Sequence, residues 1–290
     1  MKLFYSFSLL LFVVISACSA ETEEQVPEQD SKKVYVEDAE EKADILKEFQ
    51  AAEEEIYSMS MGANVSQVVT GEDGVSIDTE VSASSDLILD PLAARIDSEE
   101  DTYTQNTELS MHLNEDATYL SANPSDEDPH WQKFTGEEHE EILAGIEKEN
   151  EAFLFVNYDV LLEYTDEFVL ALVSDDEGEA DEHNFDYYEL TLGGDSNIYH
   201  ELINDRNMDE PDQFADVDDF NFNVTLDKDT KHPIEIYSTM YGTLDMEGEV
   251  LQVEEIIFTH VMGTNNLEEG DLKIPTRVEM SAETDEEDEE

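Results

Sequence analysis

The chain has 290 residues, of which 77 are Asp or Glu and 13 are Lys or Arg, giving a formal net charge of −64. That charge makes nucleic acid and anionic lipid headgroups poor partners, since both would be repelled, while 39% apolar and 9% aromatic residues supply enough material for a folded core. The single cysteine excludes a disulfide within the chain, a thiolate metal site and dithiol redox chemistry.

That cysteine, Cys18, closes the sequence Ile15-Ser16-Ala17-Cys18 after a lysine at position 2 and an unbroken apolar run from Leu9 to Ile15. A charged start, a short apolar run and small residues before the cut describe a secretory signal, too short to span a bilayer permanently. The pattern is a complete lipobox. It predicts residues 1–17 as a lipoprotein signal peptide and Cys18 as the mature N-terminus, carrying palmitate-type acyl chains. Two such chains hold a protein stably on a membrane where one would be marginal. The alternative is an ordinary cleaved signal with a chance cysteine, and the position of Cys18 and its neighbours favour the lipobox. The expected location is the extracytoplasmic face of the cell membrane, lipid-anchored. Cleavage removes only Lys2 and leaves −65 on the mature chain. At about 1 M salt the Debye length falls to about 3 Å and screens most of that self-repulsion, so a salt-loving or alkaliphilic source is expected. The alternative is a polyanionic surface that weakly collects divalent cations.

Residues 18–37 are acidic and poor in large apolar side chains, and read as a tether. Asp38 can cap a helix with Glu41 three residues on, and Ile45, Phe49, Ala52 and Ile56 place one stripe on its buried side. From Tyr57 the period becomes two. Tyr57 to Val65 and Val75 to Ala83 form two strands joined through the turn at Gly71, Asp73 and Gly74. Leu109, Met111 and Leu113 form another such face, and a further strand covers Thr118 to Ser121. Asn123 to Pro129 then breaks the sheet before Trp131. Thr135 with Glu138 makes a capping box ahead of Ile142, Leu143 and Ile146. Phe153 to Tyr164 is apolar, and both a helix and an extended segment fit it. Phe168–Val173 and Tyr187–Leu192 read as strands around an acidic loop, and Asn197–Asn204 as a short helix. Three long strands follow, Phe220–Leu226, Pro233–Asp245 and Glu249–Met262, and long strands curve into barrel-like sheets. The folded domain is expected over residues 38–282, with a disordered acidic tail at 283–290.

No catalytic constellation emerges. Gly-x-Ser-x-Gly and phosphate-binding glycine loops are absent from the sequence. His139-Glu140 begins like a zinc-protease helix, but position 143 is Leu. His112 falls on the polar side of its strand, where a solvated imidazole is expected. Thr243 to Glu254 places Asp245, Glu247, Gly248 and Glu254 at calcium-loop spacing, but begins with Thr where an acid is needed and is flanked by strands, so a β-turn is preferred. Asp175 to Glu182 is an acidic loop able to gather cations weakly. No cofactor is expected, and no enzyme.

The order of elements then carries a resemblance. The lipobox, the acidic tether, the helix, the strands ending at Tyr119 and Trp131-Gln132-Lys133, the helical middle, Leu226-Asp227-Lys228-Asp229-Thr230 in the closing strands, and Ile274-Pro275 before Val278 together resemble an uncharacterised lipoprotein family of bacilli. The likeness spans roughly residues 40 to 282. Its layout is similar to the LolA, LppX and LprG group, which implies an α+β fold in which a strongly curved antiparallel half-barrel wraps around a few helices and can hold acyl chains on its concave side. Two functions follow from it. In one, a surface-tethered, non-enzymatic module binds an apolar or lipid ligand along Val75, Ile77, Val81, Phe220, Phe222, Ile234 and Ile236. In the other, the protein's own helices fill that face, and the protein is an envelope interaction or regulatory protein without a ligand.

Overall fold

The structure, a computed structural model, describes residues 32–102, 105–125, 129–144, 156–174, 187–194, 196–199, 202, 214–246, 249–268 and 270–284. Cys18 and the signal sequence lie outside them, as do Ile146, the loop from Asp175 to Glu182 and the Glu247-Gly248 turn.

Among the described residues, thirteen strands form a single open sheet: β1 (Lys32–Val36), β2 (Ser58–Thr70), β3 (Ser76–Leu89), β4 (Leu92–Thr102), β5 (Gln105–Leu113), β6 (Thr118–Ala122), β7 (Trp131–Phe134), β8 (Val169–Ser174), β9 (Tyr187–Gly194), β10 (Phe214–Asp227), β11 (Pro233–Met246), β12 (Glu249–Thr264) and β13 (Ala282–Thr284). Five helices among the described residues accompany it: α1 (Ala39–Glu53), α2 (137–144), α3 (Tyr158–Glu163), α4 (Ser196–Tyr199) and α5 (Thr276–Ser281). The class is α+β.

The sheet is built from two meanders. Strands β2 to β7 pair each with the next, as do β8 to β12, and β12 pairs antiparallel with β2 to join them. β1 adds to the outer edge of β8, and β13 lies parallel to β7 at the opposite edge. Antiparallel pairing brings like-facing residues into rows that cross the strands, since side chains alternate between faces. One such row runs Phe220, Met240, Glu255, Gln67 and Thr79. The next runs Phe222, Ser238, Ile257, Val65, Val81 and Glu100. These rows belong to the helix-covered, or inner, face. A register shift between Val261 and Gly263 in β12 and further shifts in β10 bend the ladder locally.

Helices cover the inner face at both flanks. Leu46 and Phe49 of α1, Tyr158 and Leu161 of α3, and Ile198 and Tyr199 of α4 pack with Leu170, Leu190, Leu192, Phe220, Phe222, Val224 and Leu226. Ile142 of α2 packs with Met59, Met61, Leu87, Met111, Leu113 and Phe134. α4 approaches the sheet closely because Gly194 beneath it has no side chain: a Cβ there would lie 2.5 Å from Ile198 Cδ1. The chain after β12 crosses to the outer face. There Leu272 covers Ile88 and Ala93, and Val278 of α5 covers Tyr119 and Trp131.

Several elements differ from expectation. The sheet starts at Lys32, inside the stretch expected as tether, because β1 finds a partner in β8. β4 was not expected at all. The acidic tail begins later than expected, since Glu283 and Thr284 sit in β13. α1 is capped by Asp38, whose carboxylate accepts from the N–H groups of Glu40 and Glu41. Its buried stripe is Lys42, Leu46, Phe49 and Glu53, with Ile45 only partly buried, and Ile56 lies past its end in the other core. The stripe turns because both charged members find buried partners. Lys42 Nζ donates to the carbonyls of Thr165 (3.1 Å) and Phe168 (2.6 Å), and Glu53 accepts from the Val156 N–H at 2.9 Å. The helical alternative holds for Tyr158–Glu163, capped by Asn157. α2 begins directly after Gly136, at φ 62°, a left-handed turn that suits glycine.

Candidate functional site: the inner face of the sheet

The seven residues expected to line one ligand surface are dispersed. Phe220 and Phe222 are 1% and 4% exposed, with Tyr199 packed edge-on against Phe220 at 5.2 Å between ring centroids. Ile236 is partly buried against the same core, and Ile234 lies half-buried in β11. Val81 is buried in β3, in the same row as Phe222 but four strands away. Val75 and Ile77 are exposed, Val75 in the β2–β3 hairpin outside the strand and Ile77 at the tip of β3. The structure brings together Phe220, Phe222 and Ile236, and the chain's own helices occupy that place.

Between the two helix-filled flanks, the inner face carries small and polar residues. Ser238 and Thr259 are buried there, with Ala63, Ala83, Ser98 and Thr79 in register across β2, β3 and β4. At the centre is Glu255, 6% exposed, with Gln67 Nε2 donating to its Oε2 at 3.2 Å. Burial penalises the anion more than that hydrogen bond helps it, and lifts the carboxyl to about 7. At neutral pH it is poised between acid and anion. Tyr199 stands on the other side, its hydroxyl pushed well above the ordinary range first by burial and then by the Glu255 charge. One row on, Glu100 is also raised by burial. A carboxyl in this state can donate a hydrogen bond while protonated and repel an anion once ionised. A shifted carboxyl marks a candidate functional position.

Sequence reasoning passed over Glu255, although its phase gives it away: it lies two residues from both Val253 and Ile257, on their side of the strand. The other candidates take structural roles. His139 is buried, its Nε2 donating to the Glu115 carbonyl at 3.1 Å and its Nδ1 2.9 Å from the Thr118 hydroxyl, and it fastens α2 to the turn between β5 and β6. His112 is not a solvated imidazole. It lies 5.4 Å from the Trp131 ring on the outer face, and burial lowers its pKa with Asp97 opposing. Thr243–Met246 and Glu249–Glu254 are the arms of the β11–β12 hairpin, so the calcium-loop spacing falls on strands. Among the described residues, no group of three or more His, Cys, Asp or Glu side chains is placed to hold a metal.

Residues 41–177, from α1 through β8, match DUF6612, a family of unknown function. None of the curated proteins matches the chain. Two solved structures are similar. One is a β-barrel-like protein of the DUF1849 family from Brucella abortus, at 7% identity over 72% of this chain and 100% of that one, with a TM-score of 0.25. The other is a DUF1329 family protein from Desulfovibrio piger, at 11% identity over 82% of this chain and 98% of that one, with a TM-score of 0.23. Scores this low carry no argument about fold or function.

Proposed function

We propose that the chain is a non-enzymatic envelope protein, lipid-anchored through Cys18 on the extracytoplasmic face of the membrane, with a half-barrel of the LolA-like layout filled by its own helices. It works through contacts with other proteins and carries no acyl cargo. One observation supports this reading above the others: Phe220 and Phe222, the large aromatics best placed to cradle an acyl chain, are 1% and 4% exposed beneath α4. Each buried CH₂ of a ligand contributes about 0.8 kcal/mol, but only where its surface is not already covered. The lipobox motivates the anchor, and the spread of 77 acidic residues motivates a salt-rich setting, where weak divalent-cation binding adds to screening. A second reading rests on Glu255. A ligand with an apolar body and a hydrogen-bonding head would have to displace the packing that leaves Val65 and Val81 4% and 1% exposed to reach a carboxyl that is half protonated near neutrality.

Titrating the unacylated domain at high salt with a fluorescent fatty-chain probe separates the two. The filled-core reading expects no saturable binding to the folded protein. Saturable binding at one probe per chain would overturn it in favour of the ligand cradle.

A further inference from the structure

The outer face of the sheet carries a strip without charge in a chain that is otherwise densely acidic. Register across six strands defines it. One row runs Thr191, Asn223, Tyr237, Phe258, Asn64 and Ser82, from β9 to β3. The adjoining row runs Gly193, Asn221, Thr239, Ile256 and Ser66. None of these eleven residues carries a side chain ionisable near neutral pH. The rows on either side carry acids: Glu189, paired with Lys33 at 2.7 Å, and Glu235, 3.2 Å from His260 in its own row, border one flank, and Asp219, Glu254 and Asp78 the other, with Glu80 closing the end of the second row. Tyr237 is 37% exposed at the centre, and Tyr241 is 44% exposed at the border, its hydroxyl donating to Glu254 at 2.7 Å. Phe258 and Ile256 are partly exposed beside Tyr237.

An aromatic and apolar centre from which charge is missing, inside a charged border, is the anatomy of a protein–protein contact. With strands about 4.8 Å apart and like-facing rows about 6.7 Å apart, four rows over six strands cover about 24 by 20 Å, on the order of 500 Å². That is the size of a transient contact. The border fixes the sign of the partner, because like charges facing each other across an interface are costly and opposite ones steer encounter. A second copy of this chain would bring the same acidic border against this one, and nucleic acid would be repelled. Deepening the interaction-protein reading above, we propose that the uncharged strip on β9–β12, β2 and β3 is a docking surface for a protein with an apolar centre bordered by Lys and Arg.

The test uses the unacylated chain from Cys18 onward and two synthetic probes, an alternating Lys–Leu decapeptide and deca-lysine, titrated at moderate salt. The wild type is expected to bind the Lys–Leu peptide at least tenfold more tightly than deca-lysine. A Tyr237→Ser/Ile256→Ser variant, with folding checked by circular dichroism, should lose that preference while its affinity for deca-lysine stays within twofold. Val75→Ser/Ile77→Ser, which removes exposed apolar groups elsewhere, should keep it. A wild type without the preference, or a preference that survives the Tyr237/Ile256 change, would overturn the proposal. So would saturable binding of phosphatidylcholine vesicles or a neutral oligosaccharide at the strip. The fatty-chain titration reads the inner face and these probes the outer one, so either proposal can fail alone.

Discussion

Replacing Glu255 by Gln is expected to flatten the dependence of stability on pH. The carboxyl titrates at about 7 in the folded chain and at its ordinary value of 4.5 when the chain unfolds. Between those values the folded state holds more protons than the unfolded one, so wild-type stability falls as pH rises through the window and settles at its lowest above pH 7. The full shift is worth about 3 kcal/mol at about 1.4 kcal/mol per unit. Most of it develops between pH 5 and pH 8.5. Tyr199 stays neutral throughout, and Gln67 can donate to the Gln amide oxygen as it does to the carboxyl, so the variant keeps its hydrogen bond without the titration. The many other carboxylates also titrate, but they do so in both proteins and cancel in the difference. Urea unfolding of wild type and Glu255→Gln at both pH values, in matched high salt, measures it. The variant should gain roughly 2–3 kcal/mol on the wild type on going from pH 5 to pH 8.5. A gap that is the same at both pH values would refute the reasoning that burial holds this group near neutrality.

Lys42→Met should destabilise by about 2–3 kcal/mol in chemical unfolding, because the part-buried Thr165 carbonyl and the buried Phe168 carbonyl lose a charged donor that methionine cannot replace. Gly194→Ala should cost about 1–3 kcal/mol by pushing Ile198 and α4 off the sheet, and a thermal midpoint equal to wild type would contradict the close approach. The midpoint of the wild type should climb steadily from dilute buffer to about 1 M NaCl; millimolar calcium outperforming NaCl of matched ionic strength would point to specific cation sites. Cys18→Ala should leave an unprocessed or released protein by detergent partitioning, and normal processing with membrane retention would count against the anchor.

Alternation made most of the sheet legible. Tyr57 to Val65 and Val75 to Ala83 announce β2 and β3, and the three closing strands announce β10, β11 and β12. β4 escaped because its inner residues change from Ala94 and Ile96 to Ser98 and Glu100, while Arg95, Asp97 and Glu99 face out. Beyond Ile96 both sides are polar and the period vanishes. β1 escaped for a different reason: Lys32 to Val36 is a strand only because β8, far along the chain, lies beside it. The α1 stripe was read one position off because buried Lys42 and Glu53 look like surface residues until their distant carbonyl and N–H partners are known. Glu255 was readable from its phase between Val253 and Ile257, whereas its environment was not, since Gln67 and Tyr199 arrive from other parts of the chain. The charge-free strip is the same kind of feature. No single strand contains it, and it exists only once six registers are set side by side.

The ladder between β2 and β12 has a consequence for how the molecule assembles. It joins residues 59–70 to residues 252–264, while nearly every other pairing links neighbours in the chain. Each meander can form from local contacts, but their union must close a loop of almost the whole domain, and such long-range pairing is slow because its entropy is lost before the contacts repay it. Folding should therefore proceed in two quick stages and one late one. Until that late union, β2 and β12 each present an unpaired edge, the kind of surface that invites pairing with another chain.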